Sequence, residues 1–285
     1  MRFTEIQSKR ILTRAGGYLR EVCSHSLQPY RGCSFGSSLC GVACYVQHNG
    51  LLTRGEAWGS FLEARVNAPE AYAAEQLRER RWARAARGAF SIFLSSSTDP
   101  FVPQERVRGI TTRLLEAMVL APPDVLIVQT HSPDVARAQE LLARLAQRCQ
   151  VRVHITIESD VETLPGLPPP AASVARRLAA AASLRAAGLR TVITVSPLLP
   201  IDDPRAFFRR ISEVADAVVI DHFIGGDGSA EGSRTARTAL PAAMERARPG
   251  SSALAYREQM VALAREILPG RVGVSRDGFA GRYLA

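Results

Sequence analysis

The chain of 285 residues is almost without lysine: Lys9 is the one lysine among 36 basic residues. Schiff-base aldolases, pyridoxal-phosphate enzymes and Walker-type phosphate loops all need a lysine at a fixed place. Lys9 has neither a Gly-rich loop nor a strand end before it, so none of these classes is expected. Long apolar runs are missing too. No stretch approaches the roughly 18 residues of a membrane span. The N-terminal MRFTEIQSKRILTRAGGYLR also lacks the apolar core of a secretory signal, so a cytoplasmic protein without membrane contact is expected. Aromatic residues are sparse at 6%, yet 46% of the chain is hydrophobic, enough to fill the core of one domain over residues 1–285.

What is present is arginine. Basic residues outnumber the 27 acidic ones and give a net charge of +9, which mildly favours a polyanionic partner such as nucleic acid. A solvated basic surface explains the excess equally well. The five cysteines are Cys23, Cys33, Cys40, Cys44 and Cys149. An odd number, three of them within twelve residues, suits a metal site in a reducing compartment better than a disulfide framework.

From Phe61 onward, short β-like runs alternate with helical segments, the pattern of β/α units around a mainly parallel sheet. Strands are expected at Phe90–Leu94, Val125–Val128, Val151–Ile157, Thr191–Val195, Ala217–Ile220 and Arg271–Val274. Their composition suggests burial on both faces. Helical periodicity marks Glu70–Arg87, Gln104–Leu120, Asp134–Arg148, Ala171–Ala187, Arg205–Val214 and Leu254–Leu268, and Phe61–Asn67 alternates like an extra strand. Residues 1–20 read as a short extension and Gly225–Gly232 as a Gly-rich loop, either a surface loop or a substrate or phosphate loop. The β/α units, over about 88–275, are too few for an eight-unit barrel. A partial (β/α)6 barrel or an open doubly wound sheet is expected, with ligands at the C-terminal strand ends. Polar residues gather there at Ser95–Asp99, Gln129–Ser132, Glu158–Asp160 and Ser196.

The loop Gln28–Asn49 carries its cysteines as C-x6-C-x3-C among glycines and serines. Three thiolates suit a 4Fe-4S cluster with one iron lacking a protein ligand, or a zinc site completed by Cys23, His25 or His48. PYRGC at Pro29–Cys33, ARVNAPEAY at Ala64–Tyr72, SSSTDPFVPQE at Ser95–Glu105, QTHSPDV at Gln129–Val135 and VSPLLP at Val195–Pro200 accompany it in order. With these motifs, the chain resembles the spore photoproduct lyase-like branch of the radical S-adenosylmethionine superfamily over roughly Gln28–Pro200.

The resemblance implies a partial (β/α)6 barrel of the radical S-adenosylmethionine kind, holding a 4Fe-4S cluster on Cys33, Cys40 and Cys44. It implies S-adenosyl-L-methionine contacts by Ser96, Ser97, Thr98, Asp99, Glu158 and Ser159, with Val195–Leu198 near the adenine. An external donor of flavodoxin or ferredoxin type would supply the electron. The chemistry would be lyase-like or another radical transformation, begun by a 5′-deoxyadenosyl radical that abstracts hydrogen from an unidentified substrate, with nucleic acid one candidate. Three departures stand out. The branch spaces its cysteines C-x3-C-x2-C, whereas Ser37-Ser38-Leu39 and one further residue are inserted here. Its aromatic residue before the last cysteine is Ala43, with Tyr45 just after as in the family, and the lysine of its TKSP-like motif is His131, a substitute hydrogen-bond donor. No cysteine follows Cys149 as the hydrogen donor used in lesion repair, so repair itself is not assigned. The alternatives are a zinc-stabilised β/α binding module without radical chemistry and a metal-free β/α hydrolase or isomerase.

Overall fold

The computed structural model describes residues 1–283. Its strands are β1 (Arg2–Ile6), β2 (Leu12–Arg14), β3 (His25–Leu27), β4 (Tyr30–Gly32), β5 (Phe61–Arg65), β6 (Ser91–Leu94), β7 (Val125–Thr130), β8 (Gln150–Thr156), β9 (Arg190–Val195), β10 (Ala217–Ile220) and β11 (Val272–Val274). A small sheet has the order β1-β5-β4, and a large one the order β11-β10-β9-β8-β7-β6-β3-β2. In the large sheet β3 and β6 to β11 run parallel in chain order, and β2 pairs antiparallel with β3. Among the described residues β2 and β11 are its two edges. The expected β/α alternation is therefore present, on a largely parallel sheet.

The two faces of that sheet differ, because side chains alternate along a strand. Ile92, Leu94, Leu126, Val128, Val153, Ile155, Ile193, Val195, Val218 and Ile220 face the covering helices and pack with Leu114, Leu142, Leu184, Phe208 and Val261. Residues of the other register, Phe93, Ile127, Val192 and Val219, form a smaller cluster with Val22, Cys23 and Phe279. Towards the C-terminal ends this second face turns polar, with Gln129 Nε2 donating to Thr156 Oγ1 (2.6 Å) and Thr194 Oγ1 (3.0 Å). The central strands are buried on both faces, as their compositions suggest, but part of the second face is polar. Its polar half faces the place where a ligand would sit.

The helices lie near their expected places, with instructive breaks. Gly109, at φ +58°, divides Gln104–Leu120 into Glu105–Arg108 and Ile110–Leu120. Pro133 opens a 3₁₀ turn, Pro133–Ala138, before the α-helix Gln139–Ala146. Ser173 and Asp203 cap Val174–Ala186 and Pro204–Val214 through their side-chain oxygens. The extra strand at Phe61 is β5, and the first residues form β1 and β2 rather than an unattached extension.

One carboxylate anchors that N-terminal segment. Glu79, on the helix Ala68–Arg87, is fully buried and accepts hydrogen bonds from Arg14 Nε (2.8 Å) and His25 Nε2 (3.1 Å), with Arg78 Nε on its other oxygen (2.9 Å). His25 meets Trp82 and Phe90 edge-on, and the Arg14 guanidinium lies 4.0 Å over Trp82. Burial pushes the Glu79 carboxyl up, but the Arg14, His25 and Arg78 hydrogen bonds outweigh it and hold it at about 2, against an ordinary 4.5. A depressed carboxylate pKa stabilises the fold above the unfolded value and loses that contribution as pH falls through the folded one. Glu79→Gln is expected to cost about 3 kcal/mol near neutrality, and chemical denaturation should show the difference shrinking between pH 4.5 and 2. A constant difference across that range would contradict this assignment.

Candidate active site

The cysteine loop leaves β4 beside β5, where the Cys33 N–H donates to the Phe61 carbonyl (3.1 Å). Cys40 sits in the short helix Leu39–Ala43, and Cys44 follows it. Gly41 makes this return possible: a Cβ there would lie 2.1 Å from the Phe35 carbonyl oxygen and 2.4 Å from Gly36 Cα. The loop folds back on itself, and the three thiols come close enough to repel as thiolates. Burial pushes Cys33 up to about 12 and Cys44 up to about 11, the first helped by Cys44. Cys40 rises well above the ordinary thiol value through burial, then Cys44 and Cys33, then Glu158 and Asp99. Opposing this, the Phe35 N–H donates to Cys33 Sγ (3.3 Å), and the Trp58 indole lies against Cys44 with its buried N–H otherwise unpartnered.

Among the described residues, no three His, Cys, Asp or Glu side chains converge as ligation of one metal ion requires. Two of the three possible zinc partners are engaged elsewhere, whereas the third, His48, has a buried Nε2 without a hydrogen-bond partner. His25 is bound to Glu79, and Cys23 packs with Phe93 and Ile127 on the second face of the sheet.

Cys40 and Cys44 keep some accessible surface, and it opens onto a cavity of about 130 Å³ whose walls include Tyr45, His131, Glu158, Ser196 and Asp221. A second cavity of about 410 Å³ shares Tyr45, His131, Ser196 and Asp221, and adds Tyr18, Phe93, Ser96, Ser97, Gln129, Thr156, Arg234 and Phe279. Ser96, His131, Glu158, Ser196 and Asp221 each lie one or two residues beyond the end of a parallel strand. That is where sheets of this kind offer ligands to bind.

The buried charges are individually supported. Arg177 Nη1 donates to Glu158 Oε2 (2.6 Å) and to the Thr156 carbonyl (2.7 Å), and His131 Nε2 lies 3.4 Å from Glu158 Oε1. Burial opposes ionisation of Glu158, yet Arg177 and His131 overcome it and hold the carboxyl below its ordinary range. Asp221 has no such cation. It accepts from Ser275 Oγ (2.7 Å), Tyr18 OH (3.2 Å) and, more weakly, Ser196 Oγ (3.4 Å), and burial raises its pKa. Ser275 donates from φ +46°, a costly conformation for a serine, as is common where a side chain is held for function.

The expected site residues divide into two groups. Cys40, Cys44, His131 and Glu158 border the smaller cavity, while Ser96, Ser97 and His131 border the larger. Cys33 is buried beside them. Thr98, Asp99 and Ser159 face the protein instead. Thr98 Oγ1 donates to the Gly32 carbonyl (2.9 Å), and Ser159 Oγ donates to the Pro200 carbonyl. Asp99 accepts from Thr130 Oγ1 (2.7 Å), the Phe101 N–H (2.8 Å) and the His131 N–H (2.7 Å), clasping the ends of β6 and β7 together. Sequence reasoning missed Tyr18, Trp58 and Phe279, none of which lies within a motif. Tyr18 carries no signal beyond its neighbouring glycines.

Comparison with known proteins adds the fold. No family model and no curated protein matches the chain. Among solved structures, a spore photoproduct lyase variant with bound AdoMet and dinucleoside spore photoproduct superposes with a TM-score of 0.61 at 13% identity, covering 96% of this chain and 81% of that one. Spore photoproduct lyase complexed with dinucleoside spore photoproduct gives 0.62 at 14% identity, with the same coverage. At such low identity the likeness concerns architecture: this chain has a fold similar to that of spore photoproduct lyase.

Proposed function

We propose that this protein is a radical S-adenosylmethionine enzyme in which Cys33, Cys40 and Cys44 hold a 4Fe-4S cluster beside the smaller cavity. One observation carries the reading: three cysteines of a single loop lie near one another at the C-terminal edge of a parallel sheet, Cys40 and Cys44 lining a cavity also walled by His131 and Glu158. The donor set fits the group. The thiols do not converge on one ion, whereas a cube of iron and sulfide spreads its ligands wider, and its positive irons relieve the repulsion that keeps these thiols protonated. When bound, the cluster and S-adenosylmethionine supply an electron transfer that breaks the sulfonium bond and yields a 5′-deoxyadenosyl radical.

The chain's own residues position and enclose. Glu158, kept ionised by Arg177, offers a carboxylate oxygen to the ammonium group of the methionine part, and His131 offers a ring N–H to its carboxylate. Leu39, Leu199, Phe223 and Leu240 wall the smaller cavity and keep water out. Ser96 and Ser97, on the wall of the larger cavity, would meet the ribose, and we assign the rest of that cavity to the substrate. The neighbours' bound dinucleoside and the basic charge support a nucleic-acid-related substrate. A partial (β/α)6 barrel, an electron donor of flavodoxin or ferredoxin type and a cytoplasmic setting complete the reading.

The test is anaerobic iron–sulfide reconstitution followed by dithionite and S-adenosylmethionine. Wild type is expected to absorb broadly in the visible and form 5′-deoxyadenosine, and Cys33→Ala, Cys40→Ala and Cys44→Ala are each expected to abolish it. Stoichiometric zinc with no cleavage would overturn the proposal and favour a binding module. Glu158→Gln is expected to weaken S-adenosylmethionine binding about tenfold with the cluster absorbance intact; unchanged affinity by equilibrium dialysis would remove Glu158 from the site.

A further inference from the structure

The Gly-rich segment after β10 is a tied structure. Asp227, almost fully buried, accepts from the Ser229 N–H (2.9 Å) and Ser229 Oγ on one oxygen, and from the Thr235 N–H (2.8 Å) and Thr235 Oγ1 (3.0 Å) on the other. With four donors on it, the Asp227 carboxylate serves the loop. What this knot displays is Arg234. Its N–H donates to Ser229 Oγ (3.3 Å), its Nη1 donates to the Asp227 carbonyl (3.2 Å), and the residue lines the larger cavity. Gly228 leaves it room: a Cβ there would stand 3.2 Å from Arg234 Nη1.

No ion pair joins Arg234 to a carboxylate among the described residues. It is also the only arginine or lysine on the wall of that cavity among the described residues. The two carboxylates on that wall are engaged: Asp221 is held by Ser275 and Tyr18, and Asp227 by its own loop. A half-buried guanidinium held by one neutral carbonyl retains most of its donors for an anion, and its planar fork matches a phosphate. The same cavity presents the aromatic side chains of Tyr18, Phe93 and Phe279, surfaces that suit a nucleobase.

Resting on the assignment of this cavity to the substrate, we propose that Arg234 binds a phosphodiester of that substrate and so selects a nucleotide over a neutral ligand. Asp227 acts as a positioning residue for Arg234. The probe is thymidylyl-3′,5′-thymidine, compared with the same dinucleoside joined by an uncharged methylphosphonate. Each is titrated calorimetrically into reconstituted, unreduced protein carrying S-adenosylmethionine. Wild type is expected to prefer the charged linkage about tenfold. Arg234→Met is expected to bind both linkages equally, and Arg234→Lys to retain part of the preference, which a purely structural role would not produce. Equal affinity for the two linkages in wild type, binding of neither, or a preference preserved in Arg234→Met would overturn the proposal. Substrate-free 5′-deoxyadenosine formation by wild type, measured alongside, reports separately on the radical reading.

Discussion

Three cysteines of one loop lie near enough for their thiolates to repel, and the carboxyl groups of Glu158 and Asp99 add to the opposition at Cys40. In water such groups would separate. Here the return of the loop at Gly41 and the pairing of β4 with β5 hold them together. A concentrated set of soft donors becomes favourable once a cationic centre draws off the negative charge. The surroundings of the loop are consistent with that use: N–H groups from Phe35 and Trp58 are turned towards sulfur, and the remaining charge, Glu158, has Arg177 as a fixed counterion.

The parallel sheet turns this local constraint into a site. One register of each strand packs with the helices and fixes the strand ends in space, while the other carries a ladder that changes from Phe93, Ile127 and Val192 to Gln129, Thr156 and Thr194. Polar residues one or two places beyond the strands then face the cysteine loop across two adjoining cavities. Residues remote in sequence complete the wall. Tyr18 and Ser275, 257 residues apart, meet at Asp221, so the two ends of the chain are tied to the middle of the site.

Much of this was legible because the governing signals are local. Short β-branched runs gave the strands from β6 to β11, and the cysteine spacing with its accompanying motifs pointed to the loop and to the C-terminal face. What was not legible depended on tertiary geometry. The roles of Thr98, Asp99 and Ser159 illustrate this: in sequence they are polar residues at strand ends, equal to Ser96 and Glu158, and only the fold decides which oxygens meet backbone donors and which meet a cavity. The helix break at Gly109 and the 3₁₀ turn at Pro133 were written in residues whose backbone preferences compete with the apolar period. The buried pair of Glu79 with His25 was not legible either, since in sequence His25 stands as a possible zinc ligand and its partner lies 54 residues away.

The account stands on Cys33, Cys40 and Cys44 ligating one iron–sulfur centre whose free corner faces His131 and Glu158. A crystal structure of the anaerobically reconstituted protein, with anomalous data collected at the iron edge, tests that directly. The account predicts a compact four-iron peak bonded to all three sulfurs, with its fourth corner open to the smaller cavity. Iron bound by fewer than three of these cysteines, or a single zinc in its place, would contradict it.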